Sequence, residues 1–336
     1  MSAKRLKGQV PNFGIGEWYG HLLTGLDATQ RRRLYELHSS KGKLPCPFKP
    51  SVEGHTQHCH KAGGVCSFRA YVEIDENNAQ PAEGDAGKLR VACPSRFLGS
   101  DVEQVISKEL IGTEKSVVIR EVGFLTSEIQ VQSQSNEQID LELQDDLDQG
   151  SDVGRIDLIL RNPENGNWCA VEHQAVYFSG SSMAPEFSAV GNHATSGLPF
   201  PTGRRRPDYR SSGPKRLMPQ LQIKVPTLRR WGKKMAVVVD ESFFSALGAM
   251  DAIKEQSNSD IVWVIVELTD EGQKAKLSVK KIVFTTLERA VEGLTAGKPV
   301  SLPEFENRLK EKLDGLEQKH KELLKKLMKE SPHSGL

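Results

Sequence analysis

The sequence predicts an α/β protein with a mixed central sheet flanked by helices, and three observations carry that expectation. The runs MAVVVD (235–240) and DIVWVIVEL (260–268) are continuously apolar, as strands covered on both faces are. SFFSALGAM between them reads as a helix, so strand, helix, strand implies a covered sheet. Upstream, GRIDLILRN (154–162) and NWCAVEHQAVYF (167–178) read as two strands of a hairpin, separated by Pro163, Asn165 and Gly166.

The other elements follow along the chain. Asp27–Ser39 is expected to be a helix capped by Asp27, with Leu34 and Leu37 on one face. From Lys41 to Arg96 the chain is rich in Gly, Pro, His and Cys and lacks periodicity, so something other than a large core must hold it. DVEQVISKELI (101–111) reads as a helix capped by Ser100 or Asp101, and SVVIREVGFL as the strand after it. The acidic stretch 133–152 is expected to be a solvated connection around one short strand. Residues 191–215 read as a loop or inserted flap, and 216–231 as a helix disturbed by Pro219 and Pro226. The tail from Pro303 to Lys329 alternates apolar and charged residues at helical spacing, as a long solvated helix does. The expected organisation is an N-terminal region over 1–99, a core over 100–300 and a C-terminal helix and tail over 301–336.

At 336 residues, with 37% hydrophobic and 26% charged residues, the chain has the composition of a soluble globular protein. Lys and Arg number 45 against 44 Asp and Glu, so net charge points to no class of partner and only local clusters can. The N-terminal segment lacks an apolar core of about 7 or more residues, and no run is long enough to cross a bilayer. A reducing, cytoplasmic location is therefore expected, in which five cysteines favour a metal site or buried thiols over disulfides.

Two constellations carry chemistry. Asp157 lies in the first hairpin strand, and Glu172 and Gln174 in the second. Strand alternation puts Glu172 and Gln174 on one face and His173 on the other, and the hairpin lets Asp157 approach them. Two carboxylates suit Mg²⁺, which accepts one or two protein oxygens and leaves places for water and a phosphate, the arrangement that phosphodiester hydrolysis requires. Gln174 would orient the attacking water or meet the phosphate, but a neutral amide cannot supply a lysine's charge. The plainer reading is a solvated sheet face. The apolar neighbours in RIDLILR and CAVEHQAV weigh against it, because burying unpaired carboxylates costs several kcal/mol.

Cys46, Cys59, Cys66 and Cys93 form the second constellation, in CPF, HCHKAGGVC and CPSR. Four thiolates suit a structural tetrahedral Zn²⁺ or Fe site, with His55, His58 and His60 as alternative ligands and buried free thiols as the simpler reading. Cys169 reads as a core residue.

Together the two constellations resemble the NotI family of type II restriction endonucleases, in order along most of residues 12–245. Asn12-Phe13, Gly20-His21, Cys46-Pro47-Phe48, Cys59, Gly64-Val65-Cys66, Cys93-Pro94-Ser95-Arg96, Asp157 and Val171-Glu172-His173-Gln174 carry the resemblance. It implies a PD-(D/E)XK nuclease-like core with Gln in place of the usual Lys, and a homodimer cutting both strands of a palindromic double-stranded DNA site. It also implies Mg²⁺ for cleavage and a cysteine-bound iron or zinc in the N-terminal region. Asp157 and Glu172 would then be metal ligands and Gln174 the third catalytic residue. The chain departs from the family in a shorter interval between Asp157 and Glu172 and a dissimilar region after Gln174, so the recognition sequence does not carry over.

Arg204, Arg205, Arg206, Lys215 and Arg216 follow the hairpin and are expected to touch DNA; Arg229, Arg230, Lys233 and Lys234 continue the basic stretch. Two other readings of the chain remain at this point: a non-catalytic zinc-containing DNA-binding or interaction module, and a nuclease using His55, His58 and His60.

Overall fold

The N-terminal region folds around a sheet of its own in the computed structural model, which describes residues 10–40, 44–52, 54–75, 78–125, 154–295 and 300–330. Strands β1 (Asn12–Trp18), β2 (His21–Leu22), β3 (Val65–Glu73), β4 (Ala79–Pro81) and β5 (Arg90–Val91) pair antiparallel in the order β2-β1-β3-β4, with β5 also on β3. Ile15, Trp18, Phe68 and Tyr71 pack there with Phe187, Val190 and Leu198. This corrects the expectation of a region without a core. Three of the five strands are only two or three residues long and β1 carries two glycines, so periodicity is hidden, and part of the core comes from residues more than 100 positions later in the chain. Helix α1 (Ala28–Ser39) begins as the sequence predicts, with Asp27 accepting from Gln30 N–H at 2.8 Å and the Gln30 side chain returning the bond.

Helix α2 (Ser100–Ile111) departs in one detail. Gly99 occupies the capping position and no side chain caps it, while Asp101 and Glu103 in the first turn complement the helix dipole. The central sheet comprises β6 (Val117–Gly123), β7 (Arg155–Arg161), β8 (Trp168–His173), β11 (Met235–Asp240), β12 (Ile261–Glu271) and β13 (Lys274–Thr285). Between β8 and β11 come β9 (Tyr177–Gly180), helix α3 (Ala184–Asn192), β10 (Arg205–Asp208) and helix α4 (Met218–Arg230). The sheet order is β13-β12-β11-β8-β7-β6. Strands β8, β11 and β12 run parallel and the outer pairs antiparallel, which makes it mixed.

Alternation divides the core by face. Met235, Val237 and Val239 pack with Leu221, Val225 and Leu228 of α4, while Ala236 and Val238 pack with Val102 and Ile106 of α2. The expected helix after β11 is a single turn, Glu241–Ser245. The expected loop at 191–215 contains β10, which pairs with β9 in a two-stranded ribbon. Its sequence, RRPD, has no apolar alternation, so only the partner strand defines it. Gly180 permits that pairing: at φ 129° it is in backbone space that favours glycine, and a Cβ there would lie 2.1 Å from the Arg204 carbonyl oxygen. The stretch 133–152 lies outside the described residues. Helix α5 (Leu287–Thr295) closes a first compact unit, Met1–Thr295, and helix α6 (Leu302–Glu330) lies in a second, Ala296–Leu336.

Candidate active site

The register Leu158↔Val171 between β7 and β8 continues to set Asp157 opposite Glu172. The backbone ties the two together. His173 N–H donates to Asp157 Oδ2 at 2.9 Å, and the Asp157 backbone hydrogen-bonds to the Glu172 carboxylate. His173 points to the opposite face, stacked on Phe97 with ring centroids 6.0 Å apart, as strand alternation predicts. Burial there, with Arg120 nearby, pushes its pKa down to about 3, so it is a neutral packing residue.

A lysine that sequence reading passed over completes the cluster. Lys224 of α4 is fully buried, and its Nζ lies 2.5 Å from Glu172 Oε1 and 2.9 Å from Gln220 Oε1, one helical turn earlier. Its charge also opposes the rise that burial imposes on the Asp157 pKa. The signal was present in the sequence: Lys224 falls on the apolar stripe of Leu217, Leu221, Val225 and Leu228, where a solvated lysine has no place. Pro219 in the first turn is compatible with that helix, and the chain stays helical past Pro226.

The electrostatics follow from desolvation. Glu172 is only 3% exposed, whereas the Asp157 side chain is 42% exposed. Burial, then repulsion from Asp157, pushes Glu172 up to about 7 despite the opposing pull of Lys224. Asp157 is raised as well, by desolvation from the surrounding protein. Two carboxylates face one ammonium, so the cluster is one positive charge short when both are ionised. Asp240, at the end of β11, shows the contrast. It is buried and pushed up to about 6, yet accepts from Val91 N–H and Phe243 N–H at 2.7 Å each, which occupies it in holding β5 and the helical turn.

Gln174 lies just beyond β8. Its Nε2 donates to the Ala175 carbonyl at 2.7 Å, while its backbone N–H donates to Val238 O at 3.0 Å. The structure thus brings Asp157 and Glu172 together, with Gln174 at the strand end and its amide turned aside.

The four cysteines are neighbours. Cys46 N–H donates to Gln57 O and Cys59 N–H to Leu44 O, both at 2.8 Å, which forms a small knuckle. Cys66 in β3 precedes β5, and Ala92 N–H, next to Cys93, donates to Cys66 O at 2.9 Å. Burial raises the Cys59 and Cys66 thiols, and each is raised further by Cys93. Gly64, at φ 69°, lets the Tyr19 ring cover this site, since a Cβ there would lie 2.2 Å from the ring. All five cysteines are free, and Cys169 is core, as expected. Among the described residues no group of three or more His, Cys, Asp or Glu side chains has metal-holding geometry, and His55, His58 and His60 are exposed.

The basic segment divides. Arg204, Arg206, Lys215 and Arg216 are exposed, and the Arg216 guanidinium lies 4.8 Å from the Tyr177 ring centroid, three residues after Gln174. Arg205 is set apart from them. It is buried, ion-paired with Glu186 and hydrogen-bonded to Ser182 O at 2.9 Å, and Glu186 accepts from Ile15 N–H. It anchors β10 to α3 and β1. No helix among the described residues is long and apolar enough to cross a membrane.

The family model described as Restriction endonuclease NotI matches residues 31–279, a span that includes both constellations and Lys224. No curated protein matches the chain with significance.

Proposed function

The chain belongs to the NotI restriction endonuclease family and is a site-specific deoxyribonuclease, and from that premise we propose that Asp157, Glu172 and Lys224 form its catalytic centre, with Gln174 assisting. The observation that carries this is the convergence of two carboxylates and a fully buried lysine from β7, β8 and α4 on one point. Double-stranded DNA is the substrate, cut at a palindromic site by a homodimer whose two centres each take one strand.

The donor set fits Mg²⁺: two carboxylates converge, one of them partly open to solvent, and a magnesium site asks no more than one or two from the protein. When bound, Mg²⁺ supplies a water of lowered pKa and neutralises charge on the phosphate. Asp157 and Glu172 would hold it, since the cluster is one positive charge short when both are ionised. Lys224 keeps Glu172 oriented and provides from a helix the charge that Gln174 cannot. Gln174 turns its amide from the Ala175 carbonyl to the attacking water or the scissile phosphate. Incubation with Mg²⁺ and methylation-free DNA of varied sequence should give discrete fragments, and end sequencing then reads the site and stagger. Undigested DNA under all conditions counts against the assignment.

The four cysteines are read as a structural Zn²⁺ or Fe site. Their donor chemistry fits, and binding would draw the neighbouring thiols, raised by burial as they are, into a deprotonated shell. Cys46→Ser and Cys66→Ser should therefore lose bound metal by elemental analysis, and lose stability and expression more than intrinsic cleavage. Cys169→Ser serves as the control that keeps the metal. Full metal content in the first two variants would rule the site out.

Arg204, Arg206, Lys215 and Arg216 are read as DNA contacts, with Arg205 supporting the ribbon that carries two of them. Replacing the four by Gln should weaken binding, measured with Ca²⁺ in place of Mg²⁺, and flatten its salt dependence by about 0.9 in slope per lost phosphate contact. Unchanged affinity and slope would remove the assignment.

A further inference from the structure

Helix α6 carries a seam that nothing in the nuclease reading uses. Over its 29 residues, Leu302, Leu309, Leu316 and Leu323 recur every seventh position, and Leu313 and His320 follow Leu309 and Leu316 by four. Alternating steps of four and three are the heptad pattern in which two helices wind around each other, with the leucines at the d positions and Glu306, Leu313 and His320 at the a positions, so the apolar seam runs from Leu309 to Leu323. These leucines are 50–68% exposed, while Lys310, Lys312, Glu317, Lys319 and Lys321 clothe the remaining faces. Glu304 and Arg308 pair along the helix surface. A helix of this length with an open leucine row and a glycine, Gly315, midway is poorly supported alone.

We propose that α6 is a dimerisation helix whose occupant is the α6 of a second copy of this chain, paired parallel and in register. Self-pairing sets each d-position leucine against its own counterpart, which two-fold symmetry requires. Charge selects the orientation. In a parallel pair Lys312, at the g position, meets Glu317 at the following e position of the other copy, and symmetry provides the contact twice. In the antiparallel pair that stacks Leu313 on Leu316, Lys312 would repel Lys319 across the g positions while Lys310 meets Glu317 across the e positions, so what one edge gains the other loses. His320 at an a position penalises registers that would set it against leucine. This surface stands independently of the catalytic assignment.

The test uses the full chain. Light scattering across a concentration series should show a dimer that dissociates on dilution. Leu309→Lys with Leu316→Lys, both at exposed positions of α6, should raise the dissociation midpoint at least tenfold. Lys312→Glu and Glu317→Lys should each weaken association and the two together should restore it, whereas an antiparallel pair would be strengthened by Lys312→Glu alone. Circular dichroism confirms that each variant keeps its fold. A monomeric full chain, a double-lysine variant that dimerises unchanged, or a charge swap without rescue would each overturn the proposal.

Discussion

Glu172→Gln lowers the rate of DNA cleavage by about 10³-fold or more, on the scale of the several kcal/mol that metal-assisted charge neutralisation contributes. Glutamine keeps an oxygen for Lys224 to donate to, so the fold and DNA binding in Ca²⁺ persist. Glu172→Ala loses the same activity but also strands a buried ammonium, and the fold should lose about 3–5 kcal/mol. Gln174→Ala should cost less than either carboxylate, since its amide holds neither in place. The wild-type pH profile follows from the same residue. Burial and Asp157 push Glu172 up to about 7, so at limiting Mg²⁺ cleavage should rise as pH rises through that value. Protons and the cation compete for the carboxylate, so more Mg²⁺ should move the midpoint downward. Wild-type cleavage by Glu172→Gln would refute the carboxylate site.

The second large effect belongs to Lys224. Lys224→Met leaves Glu172 buried beside Asp157 without its neutralising partner, so its pKa climbs further and the carboxylate is protonated near neutrality. Cleavage should fall by about 10²-fold or more, which corresponds to at least about 3 kcal/mol. The stability consequence has a definite sign. A carboxyl whose folded pKa lies above its unfolded value contributes stability that is complete below the unfolded value and is lost as pH rises through the folded one. Lys224→Met should therefore unfold at lower temperature than wild type above pH 7 and approach it in mild acid. Adding Glu172→Gln should remove the pH dependence and recover stability without recovering cleavage. Activity near wild type in Lys224→Met, with the fold intact, would show the lysine to be structural alone.

Much of this was legible in local pattern. Continuous apolar runs marked β11 and β12, turn residues marked the β7–β8 hairpin, and alternation separated Glu172 from His173, because each signal depends on neighbours within a few residues. The ribbon β9–β10 and the N-terminal sheet were not legible. Arg205–Asp208 is a strand only because Tyr177–Gly180 lies beside it, and the N-terminal core borrows Phe187 and Val190 from far along the chain.

The sequence by itself determined the residue types of the site, the hairpin that presents Asp157 and Glu172, the four cysteines and the leucine row of α6. Only the tertiary structure decided which cation faces the carboxylates and which arginine is internal. Lys224 follows Glu172 by 52 residues and Arg205 follows Glu186 by 19, and each pairing arises from packing α4 or β10 against another element. A buried charge acquires its partner through that packing, since desolvation makes an unpaired one too costly to keep.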